Sequence, residues 1–166
     1  MPVRNGIHWH RKAAAVFAMA ALLLSCSPKE EQRMALGDFQ LQALDGQAVD
    51  MSRYQGKRVF INVWATWCRP CVQEMPTIAA AMKQLEGSGV VFLFASPEEA
   101  EEIAGFRDRK TFPFEYVRLL NLEALGIQAL PSTYIFDESG KLVYGEEGFR
   151  DWSTPENLAN IKPDTE

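Results

Sequence analysis

Histidine is nearly missing from this chain: two of its 166 residues, His8 and His10, and none after them. Almost all of the sequence must therefore do its chemistry without imidazole, the commonest general base and metal ligand. Cysteine is scarce as well, with three residues at positions 26, 68 and 71. A structural zinc site takes four Cys or His ligands, usually as two pairs, and no second pair accompanies Cys68 and Cys71. Long apolar runs are also lacking. Ala13 to Leu24 is twelve residues long, short of the roughly 20 that a spanning helix requires. Basic residues are outnumbered. Three of the 17 Lys and Arg precede Cys26, so 14 remain after that point against 22 Asp and Glu, a net of −8. That balance argues against nucleic acid as a partner, because phosphate binding needs clustered Lys and Arg.

What the chain does have is Cys68-Arg69-Pro70-Cys71 in a telling place. The β-prone run Val59-Phe60-Ile61-Asn62-Val63-Trp64 ends directly before it, and a helical pattern begins inside it. Apolar residues Val72, Met75, Ile78, Ala79, Met82 and Leu85 recur at steps of three or four, which predicts an amphipathic helix ending at Gly87. Pro70 suits its first turn and Pro76 predicts a kink. Such a junction puts the Cys68 sulfur at a helix N-terminus, where unpaired N–H groups and the helix dipole favour a thiolate. Thiolate is the nucleophile of disulfide exchange. A purely structural bridge over so short a loop would remove little chain entropy, so redox chemistry is the reading taken.

At 47% hydrophobic content, 166 residues suffice for one domain with a core. Residues 1–25 read as a secretory leader, with Arg11-Lys12 before the apolar run and small Ser25 before Cys26. Leu23-Leu24-Ser25-Cys26 resembles a bacterial lipobox, which implies cleavage before Cys26 and its lipidation. Cys26 then serves the anchor and the other two the redox pair. Residues 26–35 read as a polar tether, 36–161 as the folded domain and 162–166 as a tail.

Along the domain, Phe39 to Leu44, Asp45-Gly46 and Gln47 to Met51 predict an N-terminal hairpin. Val90 to Ala95 predicts a buried central strand. Ser96-Pro97-Glu98-Glu99 predicts a capped helix start, with acidic residues crowding its first turn and Arg107, Arg109 and Lys110 its end, as the helix dipole favours. Phe114 to Val117 predicts a strand and Leu122 to Leu125 a short helix. Ser132 to Phe136 and Leu142 to Tyr144 flank the turn Asp137-Glu138-Ser139-Gly140, and Ser153-Thr154-Pro155-Glu156 caps a last helix. The pattern is α/β with a mixed sheet.

Trp64-Ala65-Thr66-Trp67-Cys68-Arg69-Pro70-Cys71, with Glu74 and Pro76, resembles the thioredoxin superfamily, and within it the TlpA/ResA-like thiol:disulfide oxidoreductases of bacterial envelopes. Gly126-Ile127-Gln128-Ala129-Leu130-Pro131-Ser132-Thr133-Tyr134-Ile135-Phe136-Asp137, then Gly140, is similar to that family's second signature. The resemblance covers about Leu36 to Ile161. It implies a thioredoxin-like sandwich, a mixed central sheet flanked by helices. It also implies a cis Leu130–Pro131 bond facing the disulfide, where a client strand can pair with the backbone, and an acid-base role for Glu74 near the cysteines. Thioredoxins keep a buried acid six residues before the first cysteine; Asn62 stands there and cannot exchange a proton. Arg69 would help stabilise the Cys68 thiolate, and Trp67 would shape the docking surface.

These readings combine into an exported, membrane-anchored lipoprotein on the periplasmic side of the envelope, reducing disulfides of client proteins through Cys68 and Cys71. No cofactor is required, and a membrane electron donor or acceptor would service the pair. Two alternatives stand beside it. A thiol peroxidase would use one cysteine in a Thr-x-x-Cys setting, whereas Thr66 is two residues before Cys68. A binding or copper-chaperone domain of the same fold would carry CxxxC and a histidine.

Overall fold

A computed structural model describes residues 34–163. The leader, Cys26, tether residues 26–33 and the end of the tail lie outside the described residues. The described chain builds one six-stranded mixed sheet in the order β1-β4-β3-β2-β5-β6. Its strands are β1 (Leu41–Ala43), β2 (Val59–Val63), β3 (Val91–Ser96), β4 (Glu115–Leu119), β5 (Ser132–Phe136) and β6 (Leu142–Glu147). Three α-helices join them: α1 (Arg69–Gln84), α2 (Ala100–Arg109) and α3 (Pro155–Ile161). β2 runs parallel to β3 and β3 to β4, whereas β1, β5 and β6 are antiparallel to their neighbours. This is a thioredoxin-like fold.

β2 has every residue buried, as a central strand covered on both faces must. Its side chains alternate between two cores. Phe60 and Trp64 join Met75 and Ile78 of α1, Ile103 of α2 and Leu158 of α3 in one cluster. Val59, Ile61 and Val63 join Leu93, Phe39, Tyr54 and Phe136 in the other. Burying side chains of this size stabilises the fold by roughly 1.5–3 kcal/mol each. Asn62, in phase with Phe60 and Trp64, is thereby turned toward the helical face.

Several local expectations are corrected. The second arm of the N-terminal hairpin is a single bridge, Gln42 to Ala48, beyond the turn at Gly46. β1 extends the sheet by pairing with β4 instead. Pro76 lies inside α1, and the helix's C-cap is Leu85, two residues before the expected end at Gly87. α2 starts at Ala100 with Glu99 as N-cap, not at Ser96-Pro97. Ser96 is the last residue of β3, and its hydroxyl donates to Glu98 at 3.0 Å. Leu122 to Leu125 forms hydrogen-bonded turns rather than a helix, four residues being too few to repay nucleation. The last helix is capped as its sequence predicts, Thr154 Oγ1 accepting from the Asn157 N–H.

Candidate active site

The site grows from the end of β2. The chain leaves the sheet after Val63, and three contacts fix the stretch that follows. The Trp64 N–H donates to Ala95 O at 3.0 Å. The Thr66 N–H and hydroxyl each donate to the Glu98 carboxylate at 2.6 Å. The Cys68 N–H donates to Ala65 O at 3.1 Å. Cys68 is the N-cap of α1, and its Sγ accepts the Cys71 N–H at 3.3 Å. Cys68 and Cys71 are joined, with an S–S distance of 2.01 Å and Cα atoms 5.3 Å apart.

The two sulfurs differ in access. Cys71 is completely enclosed, whereas Cys68 retains 4% exposure at the surface end of the pair. Trp67, immediately before Cys68, is 73% exposed, and Arg69 between the sulfurs is also exposed. Neither side chain is used by the core.

Leu130–Pro131 is a cis peptide bond. Ser132, the next residue, pairs with Val63 at the end of β2, so the sheet brings Pro131 to the same end of the central strands as the CxxC segment. Two bonds hold that turn: Ser132 Oγ to Ala129 O at 2.7 Å, and the Gly148 N–H to Pro131 O at 2.7 Å. Pro131 is buried and Leu130 partly so.

Glu74 lies one turn after Cys71 on α1, and no part of it reaches solvent. Its Oε1 accepts from Trp152 Nε1 at 2.5 Å and from the Arg150 N–H at 3.2 Å; its Oε2 accepts from Asn62 Nδ2 at 3.4 Å. Asn62 Nδ2 also donates to Thr133 Oγ1 at 3.0 Å. Burial pushes the Glu74 carboxyl up to about 7, against the opposing pull of the Trp152, Arg150 and Asn62 donors and of the Arg150 charge. A buried carboxyl that titrates near neutrality can hold or release a proton under working conditions.

Glu98, Arg150 and Trp152 belong to this site and were not singled out for it from the sequence. Glu98 lies 32 positions after Thr66, and Trp152 lies 78 after Glu74. No spacing rule joins residues so far apart. Among the described residues, no group of three or more His, Cys, Asp or Glu is placed to hold a metal ion.

A thioredoxin-like sheet whose second strand delivers a Cys-x-x-Cys disulfide to a helix N-terminus defines a thiol:disulfide oxidoreductase. Comparison with known proteins gives the same class. The AhpC/TSA family pattern matches residues 33–145, and the chain belongs to the AhpC/TSA family. It is similar to the thiol-disulfide oxidoreductase ResA of Halalkalibacterium halodurans, 32% identical over 132 residues, covering 76% of this chain and 75% of that one. Against ResA of Geobacillus thermodenitrificans it is 35% identical over 121 residues, covering 68% and 70%. A crystal structure described as a candidate thiol-disulfide oxidoreductase from Bacteroides vulgatus superposes with a TM-score of 0.64 at 25% identity, covering 74% of this chain and 89% of that one.

Proposed function

We propose that this oxidoreductase is a reductase of disulfides in client proteins, exported and held at a membrane by a lipid on Cys26. The observation that carries the mechanism is the asymmetry of the two sulfurs: Cys68 caps the 16-residue helix α1 and touches the surface, while Cys71 is sealed. In the reduced enzyme the Cys68 thiolate attacks one sulfur of a client disulfide. The client S–S bond breaks, one client thiolate leaves, and a mixed disulfide to Cys68 remains. Cys71, deprotonated, then attacks Cys68 Sγ, which releases the second client thiolate and closes the Cys68–Cys71 bond. Two electrons pass to the client, and a thiol-based donor at the membrane must return them before the next turnover.

Glu74 is the group assigned to the Cys71 proton, because it is the buried carboxyl one turn away on the same helix and Asn62, its neighbour on β2, cannot take a proton. The cis Leu130–Pro131 turn is assigned to strand-like pairing with the client. Trp67 and Leu130 would supply apolar contact, and Arg69 a positive charge favouring the Cys68 thiolate. Export rests on residues 1–25, and lipidation on Leu23-Leu24-Ser25-Cys26.

The test is covalent trapping on a protein disulfide such as insulin. Cys71→Ser accumulates a mixed disulfide, because nothing resolves it; Cys68→Ser neither reduces nor traps. Traps with Cys68→Ser alone would invert the assignment of attacking and resolving sulfurs. The reduction potential decides direction: related CxxC proteins span roughly −270 to −120 mV, and a value near the lower limit marks a reductase.

A further inference from the structure

Trp152 is placed as no ordinary core tryptophan needs to be. It sits in the loop between β6 and α3, fully enclosed, edge-on to Phe60 (centroids 5.0 Å apart, planes at 87°) and to Tyr144 (5.6 Å, 76°). Two bonds hook it to α1. Its main-chain N–H donates to Thr77 Oγ1 at 3.1 Å, and its indole Nε1–H donates to Glu74 Oε1 at 2.5 Å. Arg150, two residues earlier, donates its N–H to the same oxygen at 3.2 Å. The segment is thus fastened to the redox helix through the carboxylate itself.

We propose that Trp152 is a positioning residue of the redox site: its indole N–H fixes the Glu74 carboxylate and favours its ionised form, and so sets the pH at which the buried proton moves. The proposal rests on the acid-base reading of Glu74 given above. A desolvated carboxyl without donors would stay neutral well into the alkaline range, and donors to the charged form oppose that. Three donors reach Glu74, and the indole is the shortest. Indole is donor-only and does not titrate in water's range, so the pH dependence belongs to the carboxyl.

The other polar groups around Glu74 are accounted for by element. Asn62 of β2 donates to Oε2 and is itself tied to Thr133 of β5. Burial raises the Tyr144 phenol of β6, and the charges of Glu146 and Glu74 add to that against the pull of Arg150. The Arg150 guanidinium is paired with Glu146 at 2.9 Å, so its pull on Glu74 is shared. Thr77 and Cys71 belong to α1.

The experiment is a set of pH-rate profiles for reduction of a small aromatic disulfide by the reduced full chain. It compares wild type, Trp152→Phe, Glu74→Gln, the double variant and the exposed control Glu86→Gln. Trp152→Phe keeps a ring against Phe60 and Tyr144 and deletes the N–H. The expected result is that it raises the inflection near pH 7 by about one unit, a tenfold change in the ionisation constant. Glu74→Gln lacks that inflection, and the double variant matches Glu74→Gln. If Glu74→Gln differs from wild type while Trp152→Phe does not, Trp152 is only packing and the proposal falls. If Trp152→Phe shifts the profile equally in the Glu74→Gln background, its action does not pass through the carboxyl, and the proposal falls again. Superimposable wild-type and Glu74→Gln profiles would instead overturn the acid-base reading, and this inference with it. Folding of the variant is not a prerequisite for one readout: in wild type, the Trp152 indole 1H–15N resonance titrates with the midpoint of Glu74, and a flat resonance refutes the contact.

Discussion

Glu98 holds Thr66 by both of its donors: one carboxylate oxygen takes the main-chain N–H and the other the hydroxyl, each at 2.6 Å. Charge-assisted bonds of this length are among the stronger ones available. They fasten the turn just before Trp67 and Cys68 to the end of β3, where Ser96 Oγ also donates to the carboxylate.

Glu98→Ala should therefore loosen the approach to Cys68. The expected loss is about 1–3 kcal/mol of stability, the cost of leaving donors unsatisfied, together with slower disulfide exchange. Thr66→Val removes one bond and keeps the N–H, so its loss should be nearer to about 1 kcal/mol. Denaturant melts and stopped-flow exchange rates check both; Glu98→Ala behaving as wild type in each would show the bracket to be idle.

Glu74 makes stability depend on pH in a definite direction. Its carboxyl titrates at about 7 in the folded protein against an ordinary 4.5. Between those values the folded state keeps a proton that the unfolded chain has lost. The associated stability is full below about pH 4.5 and is lost as pH rises through about 7. At about 1.4 kcal/mol per unit the difference amounts to a few kcal/mol. Unfolding free energies at pH 5 and pH 8 should show wild type losing more than Glu74→Gln; equal losses would contradict the buried titration.

Asn62→Asp sets a second carboxyl beside the first, since Asn62 Nδ2 lies 3.4 Å from Glu74 Oε2. Two carboxylates at that range cannot both ionise in a buried pocket, so one is held neutral. The variant should be less stable than wild type at pH 8 and recover toward acid pH. A melting temperature parallel to wild type across pH 5–8 would argue against the pairing.

Cys26 lies outside the described residues, so its prediction rests on Leu23-Leu24-Ser25-Cys26. Metabolic labelling with a fatty acid should mark the wild-type chain and miss Cys26→Ala. Equal label in both would remove the anchor and leave a cleaved leader.

The parts of this protein legible in its sequence are those whose causes are local. The buried run Val59–Val63, the three-and-four spacing from Val72 to Leu85, the turn at Asp137–Gly140 and the Thr154 cap each depend on neighbours within a few residues. Local patterning therefore suffices for them. CxxC at a strand-to-helix junction is of the same kind.

Local rules failed where a distant partner competed. Ser96-Pro97-Glu98 looks like a helix start, but the Glu98 carboxylate is taken by Thr66 and Ser96, and the helix begins after it. Leu122 to Leu125 has helical spacing but too little length to nucleate. The sequence alone determined the sulfur pair, the strand before it and the helix after it. Only the tertiary structure decided what surrounds them: it turned Asn62 onto the helical face, brought Pro131 to the end of β2 and carried Trp152 across 78 positions to Glu74. Those contacts arise from strand order and sheet alternation, which sum over the whole chain and leave no mark at any single spacing.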